Sequence, residues 1–206
     1  MARRPFALVP VGLALVGLVA IAGCILPQRS VVVIHHYSIA PPMPSPNART
    51  PADVCIAVRA LDSASRYREN ILYRESPTAV GYHETARWVE PPAEMVTRAL
   101  RRALAAARVA RLVADERLVR RADILVEGTL TRFDEVHGAK QWTAECELEL
   151  VVKLADTGKV LAATRLEATT PASAMSTPAF VEAMNAAAGD LIAQATQTVD
   201  RALKPR

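Results

Sequence analysis

An α+β fold is what this sequence predicts: a mostly antiparallel sheet with two helices packed on one face, forming one domain after an N-terminal signal segment. Three observations carry that expectation. Long stretches beyond residue 123 alternate apolar and polar side chains, the period of two that a half-buried strand requires. Two other stretches repeat apolar residues at three- and four-residue steps, and each opens on proline, which suits a first helical turn. With 206 residues and 51% hydrophobic content, the chain can bury one core and appendages rather than two full domains. That content also excludes wholesale disorder, and no heptad series or Gly-X-Y period points to a fibrous fold.

The N-terminus sets the compartment. Arg3 and Arg4 precede an apolar stretch from Ala7 to Ala22, then Gly23 and Cys24, the layout of a secretion signal. Ile21-Ala22-Gly23-Cys24 resembles the bacterial lipobox, in which an aliphatic residue and two small ones precede a lipid-modified cysteine. The small residues let a signal peptidase take the chain extended, and the thiol at the cut carries the lipid. Residues 1–23 are thus expected to be removed, with acyl chains (diacylglycerol and a fatty acid such as palmitate) on Cys24. Several chains together hold a membrane firmly where one alone is marginal. Ile25 rather than Asp follows the cysteine, which by the usual lipoprotein sorting pattern places the protein on the outer membrane, facing the periplasm. Arg3-Arg4-Pro5-Phe6 also resembles a twin-arginine core, but only two residues precede the pair and the apolar stretch is strongly hydrophobic, as in general secretion.

Residues 24–52 are read as a lipidated N-terminus and Pro-rich tether, and residues 53–206 as the domain. Val31 to Ile34 is β-branched and extended, and the five prolines of 40–51 exclude helix and central strand. His35 and His36 are adjacent, so in a strand they point to opposite faces, and no acidic or cysteine ligand stands near them. No metal site is expected.

Val54, Ile56 and Val58 share one face of a first strand. Ile71 to Arg74 and Val80 to His83 read as a hairpin around Ser76-Pro77. Pro91 and Pro92 stop the chain after Trp88 and start a helix whose apolar face is Met95, Val96, Ala99, Leu100, Ala103 and Leu104. Arg98, Arg101, Arg102 and Arg108 lie on its other side, a solvated face rather than a phosphate site. A short strand near Val109 to Val113 is expected to pair parallel with the Val54 strand. Three long strands follow, beginning at Ile124, Ala144 and Val160. The second sets Ala144, Cys146, Leu148, Leu150 and Val152 against an acidic comb of Glu145, Glu147 and Glu149, which reads as one exposed face rather than a catalytic pair. Thr177-Pro178 opens a long helix with a broad apolar stripe that should lie across the sheet.

Cys55 and Cys146 remain beside the lipidated cysteine, either as small buried side chains or as a disulfide in an oxidising compartment. Tyr73, Arg74, Tyr82, Trp88, Pro91 and Pro92 form a candidate partner surface, since Tyr and Trp concentrate in interface hot spots. The same aromatics would equally serve as a roof over the core. No catalytic residue and no cofactor is expected: the chain has no Gly-rich phosphate loop, Gly-x-Ser-x-Gly, His-Glu-x-x-His or Cys-x-x-Cys, so it reads as a non-enzyme. Nucleic acid is not an expected partner either. The net charge of +4 includes Arg3 and Arg4, and no basic cluster is interleaved with aromatics.

Cys24, Tyr37-Ser38-Ile39 before a proline stretch, the Val54 strand, Ile71-Leu72-Tyr73-Arg74, and above all Arg87-Trp88-Val89-Glu90-Pro91-Pro92 before a helix resemble the ABC-type transport auxiliary lipoprotein family. The resemblance implies an accessory subunit of an MCE-type ABC system that moves lipids or other hydrophobic molecules between inner and outer membranes. It implies an MCE-domain protein as partner, membrane attachment through the lipid anchor, and self-association into a homo-oligomer. An outer-membrane assembly or pilot lipoprotein for a channel protein is the alternative that shares the anchor and the fold.

Overall fold

Nine strands and two α-helices are built in the computed structural model, which describes residues 32–46, 50–64 and 66–204. The strands are β1 (His35–Tyr37), β2 (Ala52–Val58), β3 (Asp62–Ser63), β4 (Asn70–Arg74), β5 (Val80–Trp88), β6 (Ala110–Asp115), β7 (Ile124–His137), β8 (Trp142–Leu154) and β9 (Val160–Pro171). The helices are α1 (Pro92–Ala106) and α2 (Thr177–Ala202), with a 3-10 turn at Glu116–Leu118. The lipobox residues Ile21, Ala22, Gly23 and Cys24 lie outside the described residues. A compact unit begins at Ile34. It takes in part of the stretch read as tether: β1 pairs with β5, and Ile39 and Pro41 are buried. The Ala40 amide donates to Asn185 Oδ1 at 2.7 Å, and a Cβ on Gly189 would lie 3.5 Å from Pro41 and Pro42, so the prolines run along α2.

The expected α+β class, with two helices, is what the described residues adopt, but the sheet is mixed rather than mostly antiparallel. Five of its eight strand pairings are parallel. The cause is the way the chain travels along β7. Val58 pairs beside Val126, Asp62 beside Thr129 and Arg74 beside Val136, so β2, β3 and β4 follow one another in the same direction along one edge. Antiparallel pairing needs a reversal of direction, and the connections among these three segments make none. The expected hairpin β4–β5 and the meander β7–β8–β9 supply the antiparallel part, and β6 pairs parallel with β2 as expected.

Both helices stand on one face. α2 packs on β8 and β9, α1 on β6 and β7, and the two touch through Ala99, Ala103 and Ile192. The sheet meets them with Ile56, Val58, Val126, Leu130, Phe133 and the Ala144-to-Val152 comb, all buried. Pro92 occupies the first turn of α1, where a missing N–H costs nothing. α1 ends in a Schellman motif, with Arg108 N–H on Ala105 O at 3.1 Å and Val109 N–H on Leu104 O at 3.4 Å. Arg108 takes the left-handed position, φ 53°, where glycine is usual.

β7 carries one irregularity that organises everything near its end. The register with β8 shifts between Leu130 and Arg132, a β-bulge that leaves Thr131 extra. Leu130 and Phe133 therefore both face the helices, although they are three residues apart. Beyond the bulge the alternation is inverted: Asp134 sits across from Glu145 on the open face, and Glu135 across from Ala144 on the helix face.

Candidate functional site

The open face of the sheet forms a groove of about 690 Å³ whose lining includes Arg66, Arg74, Pro77, Arg132, Glu147 and Arg165. Its floor is an ion-paired network around Asp134, which is fully buried. Arg74 donates from Nε at 3.0 Å and from Nη2 at 2.8 Å to Asp134 Oδ2, and the Tyr67 hydroxyl donates to Oδ1 at 2.6 Å. Burial first, then the bond to Asp134, pushes the Tyr67 phenol up to about 12. The carbonyl freed by the bulge is used here too, since Thr131 O accepts from Arg66 Nη2 at 3.0 Å. On the next strands Arg132 meets Glu145 at 2.7 Å, and Arg165 meets Glu147 at 2.5 Å. Burial pushes the Glu147 carboxyl up, but the bonds from Thr131 and Arg165 outweigh it and hold the group below its usual value. Asp134, Glu145 and Glu147 thus each meet an arginine.

On the opposite face, at the same end of β7, a second cluster gathers. Glu135 is fully buried, and its two oxygens are taken by different imidazoles: His83 Nε2 on Oε2 at 3.1 Å, and His137 Nε2 on Oε1. His137 lies between Tyr73 and Trp142, stacked at centroid distances of 4.8 and 4.2 Å, while His83 meets Tyr73 edge-on at 5.4 Å. Gly81 makes the arrangement possible, because a Cβ there would come 2.4 Å from the Tyr73 ring. β4, β5, β7 and β8 all contribute, so four strands converge on one carboxylate.

Residues 37–195 match the family described as the ABC-type transport auxiliary lipoprotein component. The chain belongs to that family. It is therefore a membrane-anchored lipoprotein, an auxiliary component of an ABC-type transport system, and the family is not a known enzyme family. No curated protein matches the chain. Among solved structures the lipoprotein is similar to protein XCC0632 from Xanthomonas campestris, of family DUF330. That match has a TM-score of 0.73 and 18% identity over 81% of this chain and 96% of the other. An uncharacterized protein matches with a TM-score of 0.64 and 10% identity, covering 84% and 99% of the two chains. The hypothetical protein CT253 from Chlamydia trachomatis matches with a TM-score of 0.50 and 8% identity, covering 74% and 98%. At these identities the likeness is one of fold.

The candidate surface drawn from the lipoprotein's sequence divides in three. Trp88 is 2% exposed and packs edge-on against Phe133 at 5.4 Å, so it belongs to the core and not to a partner surface. Pro92 is buried with it at the start of α1, and Pro91 is half-buried. Their apolar bulk lies at the junction between β5 and α1, so Trp88 and Pro92 take the alternative role of covering the core. Tyr73 and Arg74, neighbours in β4, point to opposite faces and serve the two clusters separately. Tyr82 alone of the aromatics is open to solvent, at 43%.

Cys55 and Cys146 are both buried and free. Ile56, next to Cys55, lies beside Ile124, whereas Cys146 lies beside Phe133, nine residues along the same strand. At ~3.3 Å per residue that separation is well beyond the reach of a disulfide. The acidic comb is only partly the solvated face expected of it: Glu149 is exposed, but Glu147 is 5% exposed and locked into the network.

Sequence reasoning missed Tyr67, Asp134, Glu135, His83 and His137. One signal was present. Asp134-Glu135 interrupts a strand with two adjacent acids where apolar residues belong, and two acids in a buried strand require partners.

Proposed function

We propose that this lipoprotein is the accessory subunit of an MCE-type ABC transport system that moves lipids or other hydrophobic molecules between inner and outer membranes. Acyl chains on Cys24 hold it on the outer membrane, and its domain docks the periplasmic MCE-domain protein. The family match across 37–195 carries this reading. The chemistry of the groove supports docking rather than carriage: its arginines and carboxylates are a poor lining for an acyl chain. The docking surface is the groove with the β4–β5 hairpin at its rim, where Arg74 is fixed by Asp134 and Tyr82 is exposed.

Crosslinking with mass spectrometry on membranes of the native host tests this. The expected result is an MCE-domain protein joined to residues of the hairpin and groove, with those crosslinks lost in Tyr82→Ala. Crosslinks to a channel or secretin protein instead would overturn it and make the chain an assembly lipoprotein.

A further inference from the structure

The geometry points to a divalent-cation site at His83, Glu135 and His137, for a metal of the zinc type. The expectation of no metal rested on His35 and His36; the fold gathers a different set. One ligand atom from each of the three residues lies within 4.8 Å of the other two. In a tetrahedral site with bonds near 2.1 Å, ligand atoms stand roughly 3.4 Å apart. The 3.1 Å between His83 Nε2 and Glu135 is close to that spacing, so adjustments of up to about 1.4 Å close the site. Two imidazole nitrogens and a carboxylate oxygen are a donor set for zinc and its transition-metal neighbours, not for calcium or magnesium, which take oxygen ligands.

Three further features favour a cation here. Glu135 brings a carboxylate to a place with no solvent contact, where a divalent ion would compensate its charge. The ligands are held before the metal arrives: the Tyr73–His137–Trp142 stack sets one ring and the Tyr73 edge sets the other, and such orientation governs metal affinity. The histidine side chains are 18% and 22% exposed, so solvent, and with it a metal ion, reaches the rings. A metal would bind the Nε2 lone pair that each ring offers in its Nδ1-protonated tautomer. The ion would join β5 to β7 across β4 and pin the hairpin that carries Tyr82.

The test uses the tag-free, full lipoprotein in detergent, stripped with chelator and titrated with Zn²⁺ and with Co²⁺. The expected result is one equivalent bound, tetrahedral Co²⁺ bands in the visible spectrum, and a zinc absorption edge fitted by two imidazoles and one carboxylate. His83→Gln with His137→Gln should weaken binding more than ~100-fold, the upper range for loss of even a supporting residue. His35→Ala with His36→Ala should leave it unchanged. No stoichiometric binding at ~100-fold excess of metal, or binding that survives in a folded His83→Gln/His137→Gln chain, would overturn the proposal. Should the double variant fail to fold, the wild-type absorption edge decides alone, because any other ligand set also overturns it.

Discussion

Asp134 is a carboxylate with no solvent contact, paired with Arg74 through one oxygen and capped by the Tyr67 hydroxyl on the other. Removing the hydroxyl leaves a buried acceptor without its donor, a loss of ~1–3 kcal/mol. Tyr67→Phe should therefore lower stability by that amount in denaturant unfolding at neutral pH. The phenol also has an alkaline signature. Its pKa is raised from 10 to about 12 in the folded chain, so folding favours the protonated form. That contribution is complete below pH ~10 and is lost as pH rises through the folded value. In absorbance titration one of the four tyrosines should ionise last, near pH 12, and Tyr67→Phe should remove that step. None of this is visible in the order of residues: Tyr67 and Asp134 are 67 positions apart, and only the course of the chain beside β7 brings them together.

Elements were legible where one period held throughout. The apolar faces of α1 and of β8 were read residue by residue, because a helix of 15 residues or a strand of 13 repeats its pattern enough to be unambiguous. β7 was legible only as far as Leu130. A bulge adds one residue and flips every later side chain, so alternation read forward from Ile124 puts the wrong face inward from Phe133 on. β3, two residues long, has no period at all. The end of α1 offers a test at this scale. Arg108 holds a left-handed backbone that costs a non-glycine residue about 1 kcal/mol. Arg108→Gly should raise the stability by about that amount in denaturant unfolding while leaving the helix content unchanged.

For the molecule as a whole, the anchor and the domain are separate arguments. The lipobox reading rests on four consecutive residues, and Cys24→Ala should abolish incorporation of labelled palmitate in cells while leaving the folded domain's far-ultraviolet spectrum intact. The domain's class, its helices, most of its strands and its family resemblance were written in local periods, prolines and short motifs, since such features depend only on residues near one another in the chain. Strand direction and the two sites were not. Parallel pairing along β7 depends on how the connections 59–61 and 64–69 run in space, and whether Asp134 or Glu135 faces the groove depends on one extra residue at Thr131. Pairing and facing are properties of partners far apart in sequence, so they exist only once β2, β4, β7 and β8 have come together.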